Sequence, residues 1–310
     1  MRHLGSYRLN SNFSVRGSAG TGFRAPTVGQ VNASKVTTKF GRTNMGRLEL
    51  RDVGTLSVTC PEAVALGAKP LEPEESVAFT AGVVAEAGPV SLTADVYNIE
   101  VEGRLGVSAN ALLAGEQRNQ FGDDACVPGS GDLNARYFGN GFDTRTQGID
   151  IVASVDIPTK SAFLESGETE FIFAGNWTKT EVTSYDPEFI DAKRILQLEE
   201  ALPKYRFNAT LRHEQDRWSA FTRPNYFGPY TETHLNDAEL IIDAGSEITL
   251  DAEISYKPFA GVELSIGAEN ILNNFPDENP YASEAGSKYP ESSPMGLAGG
   301  FYYVRGRYVF

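Results

Sequence analysis

The residues best suited to chemistry in this chain are three histidines, two cysteines and a few clustered aspartates. His3, His213 and His234 are scattered, and none has a partner at metal-ligand spacing. No GxSxG, HExxH or CxxC run is present, so no nucleophile elbow, zinc helix or redox dithiol is spelled out. Asp123, Asp124 and Asp132 offer carboxylates for a loop calcium site. A solvated acidic loop explains them as well and is the favoured reading. Alternation puts His213 on the apolar side of its segment, near one end, which suits a rim residue better than a general base. The expectation is a protein that is not an enzyme and needs neither metal nor cofactor.

Composition narrows what the chain does instead. Its 310 residues carry 27 Lys plus Arg against 41 Asp plus Glu, a net charge of −14. That balance excludes a nucleic-acid binder, which needs basic faces to neutralise phosphate. Mean hydropathy is −0.28, and no apolar run approaches the ~18 residues of a helical span. Membrane β-barrels stay open, because their strands alternate and are not apolar on average. Gly 31, aromatics at 11%, Cys 2 and Met 3 suit an extracytoplasmic β protein. The first fifteen residues, MRHLGSYRLNSNFSV, have no apolar core or small-residue cleavage site. The chain therefore reads as either cytoplasmic or begun inside a longer gene product.

The elements that must position any site are strands. In Ile248–Lys257 the apolar set is Ile248, Leu250, Ala252, Ile254 and Tyr256, opposite Thr249, Asp251, Glu253, Ser255 and Lys257. Similar alternation runs through Phe13–Ala19, Val77–Ala85, Gly148–Ile157, Phe171–Trp177, Tyr205–His213, Val262–Ala268 and the C-terminus. Leu92–Leu105 switches phase between Val96 and Tyr97, which predicts a bulge or a change of environment. Ten strands result, with an eleventh at Leu4–Arg8. Short connections near Asn10–Asn12, Ala87–Val90, Gln215–Arg217 and Pro258–Gly261 alternate with long ones at Thr27–Glu72, Gly106–Thr146, Thr183–Leu202, Pro229–Glu247 and Asn273–Gly299. Tight periplasmic turns and long extracellular loops produce that rhythm in an outer-membrane barrel. A soluble sandwich or barrel accounts for the alternation but not for the one-sided loops. The fold class is all-β: an antiparallel up-and-down transmembrane β-barrel segment.

At this level the chain resembles the TonB-dependent outer-membrane receptors. GTGFRAPT (Gly20–Thr27) is similar to their motif at the top of a late barrel strand. Leu71–Leu105 resembles the following hairpin, NGFDTRTQGIDI (Asn140–Ile151) the next strand, AENILNNFPD (Ala268–Asp277) the penultimate one, and FYYVRGRYVF the last. The resemblance implies a barrel of 22 strands around an N-terminal plug, preceded by a signal peptide and a TonB-binding segment. Residues 1–310 would be a single C-terminal part of that barrel, without plug, TonB box or signal peptide. Phe13–Gly22 would be strand thirteen. The isolated piece would have open edges near Phe13–Gly22 and Phe301–Phe310 and could not transport by itself. The implied partners are TonB, through the N-terminal part, outer-membrane lipid, the barrel-assembly machinery and a small-molecule ligand. The implied location is the outer membrane of a Gram-negative bacterium. A ferric siderophore is the leading ligand, with vitamin B12, haem or oligosaccharide as alternatives. The runner-up from another class is an autonomous ten-stranded outer-membrane enzyme of the surface-protease type.

Several residues acquire roles within that barrel. Cys60 and Cys126 fall in the first and second long loops, so a disulfide is expected on an oxidising surface, with two free buried thiols as the alternative. Tyr137, Phe138 and Asn140 precede one strand, and Tyr226, Phe227 and Tyr230 cap another. These six are ligand-contact candidates, although aromatics there also form ordinary interfacial girdles. Phe23, Arg24 and Pro26 are expected to fix the exit from strand to loop, since Pro26 cannot donate to a ladder. Tyr302, Val304, Tyr308 and Phe310 form the expected barrel-assembly signal.

Overall fold

A computed structural model describes residues 2–32, 34–42, 48–127, 132–158, 167–233 and 240–309. His234 and Phe310 lie outside the described residues. The chain opens with β1 (Arg2–Arg8), β2 (Phe13–Arg24), α1 (Val28–Asn32), β3 (Lys35–Arg42), β4 (Leu48–Leu56) and α2 (Pro61–Ala65). Next come β5 (Glu74–Ala87), β6 (Val90–Val107), β7 (Ala111–Leu113), α3 (Gly115–Asn119), β8 (Leu133–Pro158) and β9 (Glu168–Tyr185). Then follow α4 (Ala192–Glu200), β10 (Tyr205–Gln215), β11 (Trp218–Phe227), β12 (Tyr230–Thr233), β13 (Ile241–Ala244) and β14 (Glu247–Tyr256). The chain ends with β15 (Val262–Glu269), α5 (Ala282–Ala285) and β16 (Phe301–Tyr308).

Eleven strands make one continuous antiparallel wall, in the order β1-β2-β5-β6-β8-β9-β10-β11-β14-β15-β16. Each wall strand pairs with the next wall strand in sequence. The ones passed over, β3, β4, β7, β12 and β13, are built inside the long loops. The open edge at the N-terminal side is β1, not Phe13–Gly22, because β2 is paired on both sides, to β1 and to β5. An autonomous ten-stranded barrel would need its first and last strands joined. Among the described residues β1 pairs only with β2 and β16 only with β15.

On β14 and β15 burial is inverted relative to a soluble sheet. On β14, Ile248 and Ile254 are about half exposed (52% and 51%), whereas Thr249 and Ser255 are buried at 5% and 6%. Cross-strand partners share a face, so Ala220, Ile254, Ile266 and Val304 form one apolar rung across four strands. The polar face is tied together by hydrogen bonds: Ser255 to Ser265 at 2.8 Å, Ser18 to Thr80 at 2.7 Å, and Arg223 Nε to Asp251 at 3.2 Å. Several links on this face jump a whole strand, and three of them cross a glycine. Arg16 reaches Asp95 over Gly82, Tyr97 reaches Thr178 over Gly148, and Tyr303 reaches Glu253 over Gly267. A Cβ on Gly82 would lie 1.9 Å from Asp95 Oδ1, so only glycine leaves this passage open.

Aromatic side chains border the apolar face at both ends. Trp218 sits beside Tyr256 at the short-turn rim, while Trp177 beside Tyr205 and Phe207 beside Tyr226 mark the long-loop rim. Trp218 and Tyr226 are eight residues apart on β11. At ~3.3 Å per residue and a tilt of ~40°, they stand roughly 20 Å apart in height, close to the ~25 Å apolar band of a membrane barrel. Arginine at the middle of this band tests the assignment. Ile151→Arg, on the apolar face between Ala94 and Gly175, is expected to destabilise the wall by ~2–4 kcal/mol in vesicles. Val152→Arg, one residue on and facing the polar side, should change stability far less. Equal effects in urea titrations would reject the lipid-facing assignment.

The wall strands run longer than the alternation predicts. β6 and β9 have 18 residues and β8 has 26, against the ~9–11 that cross a membrane. The predicted loop Gly106–Thr146 is therefore largely strand at its far end. Register is unbroken at Val96 and Tyr97, and the predicted bulge lies higher, between Val101 and Leu105. The phase switch is a change of environment: Tyr97 turns to the polar face over Gly148, and Asn98 and Glu100 continue the apolar-face column above the aromatic border.

Candidate functional site

The excess length of β8 carries a cap on the long-loop rim. Its first residues pair on one edge with β4 in parallel (Val53 to Asn134 through Leu56 to Tyr137) and on the other with β7, antiparallel. Leu56, Leu133, Ala135, Tyr137, Phe142, Phe189 and Ile190 are buried together, with Ile195 and Leu198 of α4 packed against them. This is a conventional apolar core, in contrast to the inverted burial on β14 and β15. Asp191 starts α4 by accepting from the Arg194 amide at 2.8 Å.

Two fastenings join the first long loop to the second. Cys60 and Cys126 are disulfide-bonded, with Cα atoms 5.7 Å apart. Beside them the wholly buried Glu62 accepts the amides of Cys126 and Val127 at 3.2 and 3.1 Å. Cys60, Glu62 and Cys126 are also the only described group of His, Cys, Asp or Glu side chains close enough together to share a metal ion. Their sulfurs are bonded to each other and their carboxylate to backbone amides, so no ligand set is on offer. Asp132 accepts the Gly115 amide at 2.9 Å, and Asp123 and Asp124 are exposed in a single 3₁₀ turn, Gly122–Asp124.

The strand-exit residues form a second clamp. Arg24 donates from two nitrogens to Glu74, at 2.6 and 2.7 Å, and Glu74 also accepts the Leu105 amide at 2.7 Å. One carboxylate thus ties β2, β5 and β6 together where they leave the wall. Past Pro26, the Thr27 hydroxyl accepts the Gln30 amide at 3.2 Å and starts α1. Phe23 stands exposed on the apolar face. Removing the Glu74 charge strips an oriented bidentate pair. Glu74→Gln is expected to loosen these strand tops by ~1–2 kcal/mol, a figure held down by the exposure of Arg24. Faster amide exchange at Leu105 is the readout, and unchanged exchange there would show that the clamp carries no weight.

The six contact candidates scatter. Tyr137 is buried in the cap core, its hydroxyl donating to the Leu66 carbonyl at 3.0 Å. Phe138 is half-buried beside Val107. Asn140 pairs with backbone like an extra strand residue: it accepts the Glu72 amide at 2.9 Å and donates to the carbonyls of Glu72 and Gly103 at 2.9 and 2.6 Å. All three lie within β8 rather than before a strand. Tyr226 faces the apolar side, stacked on Phe207 at 5.8 Å. Phe227 faces the polar side, with the Arg206 guanidinium 5.0 Å over its ring. Tyr230, on β12 opposite Ala244 of β13, is buried; burial, with Glu232, Glu247 and Asp277 nearby, pushes its hydroxyl above the usual tyrosine range. The neighbouring Glu232 accepts the amides of Glu291 and Ser292 at 3.1 and 2.6 Å, pinning the last long loop. His213 sits against Trp218 at 4.9 Å and bonds Thr169 Oγ1 at 2.8 Å. Tyr302, Val304 and Tyr308 line the apolar face of β16.

Sequence reasoning missed the buried carboxylates Glu62, Glu74 and Glu232. The one local signal was Cys60-Pro61-Glu62, a proline and an acid in a first helical turn.

A cap of stapled loops above a sheet with exposed apolar side chains suits a receptor wall, and comparison with known proteins agrees. The family model described as "TonB dependent receptor-like, beta-barrel" matches residues 5–271. No curated protein matches. Among solved structures, the siderophore receptor PirA from Acinetobacter baumannii is similar at TM-score 0.64 and 14% identity, covering 98% of this chain and 40% of that one. The copper transporter OprC gives 0.59 and 14%, with 99% and 38% covered. The ferric-catecholate import receptor Fiu from E. coli gives 0.57 and 13%, with 99% and 34% covered. Identities this low carry the fold alone, and this chain spans at most two-fifths of those three chains' lengths. The family match extends over most of the sequence, and the chain belongs to the TonB-dependent receptor family, within its β-barrel.

Proposed function

We propose that this chain is the C-terminal part of the wall of an outer-membrane receptor that takes up a ferric siderophore in a TonB-driven cycle. The sheet carries the reading: apolar side chains exposed between two aromatic borders, with every long loop on one rim. Membership of a receptor family, rather than an enzyme family, supports it. Siderophore receptors among the structural neighbours favour iron over other cargo. In this reading the plug and the TonB-binding segment come from outside residues 1–310. The ligand meets the polar face at the long-loop rim, where the exposed Arg206, backed by the buried Phe227 ring, offers a cation.

The test is uptake of radioactive iron, supplied as ferric siderophores, by cells with and without the gene. Loss of energy-dependent uptake in the deletion strain, with vitamin B12, haem, oligosaccharide and copper uptake intact, is the expected result. Undiminished iron uptake together with loss of one of the others would reassign the cargo. No transport deficit at all would reject the receptor reading.

A further inference from the structure

The apolar face is not evenly filled. Near β16 it carries three alanines, Ala220, Ala252 and Ala268, on neighbouring strands. Ala268 is buried at 3%, while Ile266 and Val304 beside it stand out at 60% and 79%. The small side chains form the floor of a groove of ≈ 610 Å³, and the branched ones form its sides. Its upper end is fixed where the Tyr302 hydroxyl donates to the Ile271 carbonyl at 3.0 Å. Glu253 and Tyr303, which alternate with these residues, turn to the opposite face and bond each other at 2.7 Å. Both residues also border the groove, but their polar ends are engaged with each other.

We infer that this groove holds one acyl chain of an outer-leaflet lipid. The inference rests on the outer-membrane reading above, which puts this face in hydrocarbon. Three features point to the occupant. The groove is continuous with the apolar band, its lining is predominantly apolar, and its mouth at Tyr302 and Ile271 lies on the long-loop rim, level with the outer leaflet. Surrounding lipid is as apolar as the protein, so no hydrophobic gain drives the contact. The gain is dispersion: atoms lining an unfilled recess lose partners on one side, and a chain lying along the alanine floor restores them. A seated chain thus exchanges more slowly than lipid on the surrounding convex surface, and the site selects for a chain rather than a headgroup.

The test is native mass spectrometry of the chain extracted from outer membranes in mild detergent, counting retained lipids. Ala252→Phe and Ala220→Phe, made separately, each place a ring in the floor. Each variant is expected to retain one lipid fewer per chain than the unsubstituted protein. An unchanged count in both variants overturns the inference. So does a two-chain species that the substitutions dissociate, which would make a second copy the occupant. Lipids brominated along their acyl chains separate this failure from failure of the membrane reading. Trp177 and Trp218, both on the apolar face, should be quenched. Absent quenching removes the membrane reading and the groove with it, whereas quenching with an unchanged lipid count removes the groove alone.

Discussion

Replacing Cys60 and Cys126 together by serine is expected to weaken the cap by roughly 4 kcal/mol while leaving the eleven-stranded wall at its original unfolding midpoint. The disulfide spans 66 residues, and closing a loop of that size removes about that much free energy's worth of unfolded-chain entropy in the loop-closure account. The effect is confined because the cap has its own core, separate from the wall below. Cys60 is buried and Cys126 is exposed. Hydrogen exchange at β4 and the start of β8 should accelerate, with β14 and β15 unchanged. Glu62 holds the same junction through two amides, so Glu62→Gln should cost more in the serine background than in the parent. Two alkylatable thiols in the native protein would dispose of the staple altogether.

Gly141→Val is expected to be comparably damaging by the opposite route. The Phe189 ring lies directly on the β8 backbone, and a Cβ on Gly141 would sit 1.9 Å from Phe189 Cδ1. Gly139 meets the same ring, at 2.6 Å. Expelling Phe189 also breaks its edge contact with Tyr137, at 6.0 Å between ring centres. Overpacking costs ~1–3 kcal/mol and removal of a buried phenylalanine ~3–5, so a cap loss of about 3–5 kcal/mol is the expected range. Gly5→Ala, with nothing within 4 Å of the new methyl, should be nearly silent. Adding Phe189→Ala to Gly141→Val should recover part of the loss. If Gly141→Val leaves cap exchange unchanged, Phe189 is not seated where the structure puts it.

The contrast between wall and cap explains what could be read in advance. Each wall strand has one apolar and one polar face, and that asymmetry is written at period two. Ile248–Lys257 differs from β14 by a single residue at each end. Even the less regular Leu4–Arg8 lies wholly within β1. At the start of β8 the alternation is short: Leu133, Ala135 and Tyr137 are buried against Asn134 and Arg136, and the pattern lapses at Phe138-Gly139, so it does not announce a 26-residue strand. β4 pairs with residues some eighty positions later, in parallel, and no local pattern encodes that partner. The aromatics suffer the same ambiguity. Tyr137, Tyr226 and Phe227 are similar in sequence, yet one is core, one faces the apolar side and one the polar side. Buried carboxylates are harder still, because Glu74 and Glu232 are stabilised by donors 31 and 59 residues away.

The number of wall strands has a consequence for symmetry. Because eleven is odd, β1 and β16 run in the same direction, both from the long-loop rim to the short-turn rim. Two copies related by a twofold axis along the barrel would therefore meet with like-directed strands at both seams. Every pairing within the wall is antiparallel, and parallel pairing is weaker per residue. Uniform antiparallel closure requires an odd number of further strands, which one additional copy supplies only in the wrong sense. A rotationally symmetric homodimer is thus disfavoured by parity alone, before any side chain at either edge is considered. An arc that closed this wall with antiparallel pairing throughout would run opposite to it at both ends.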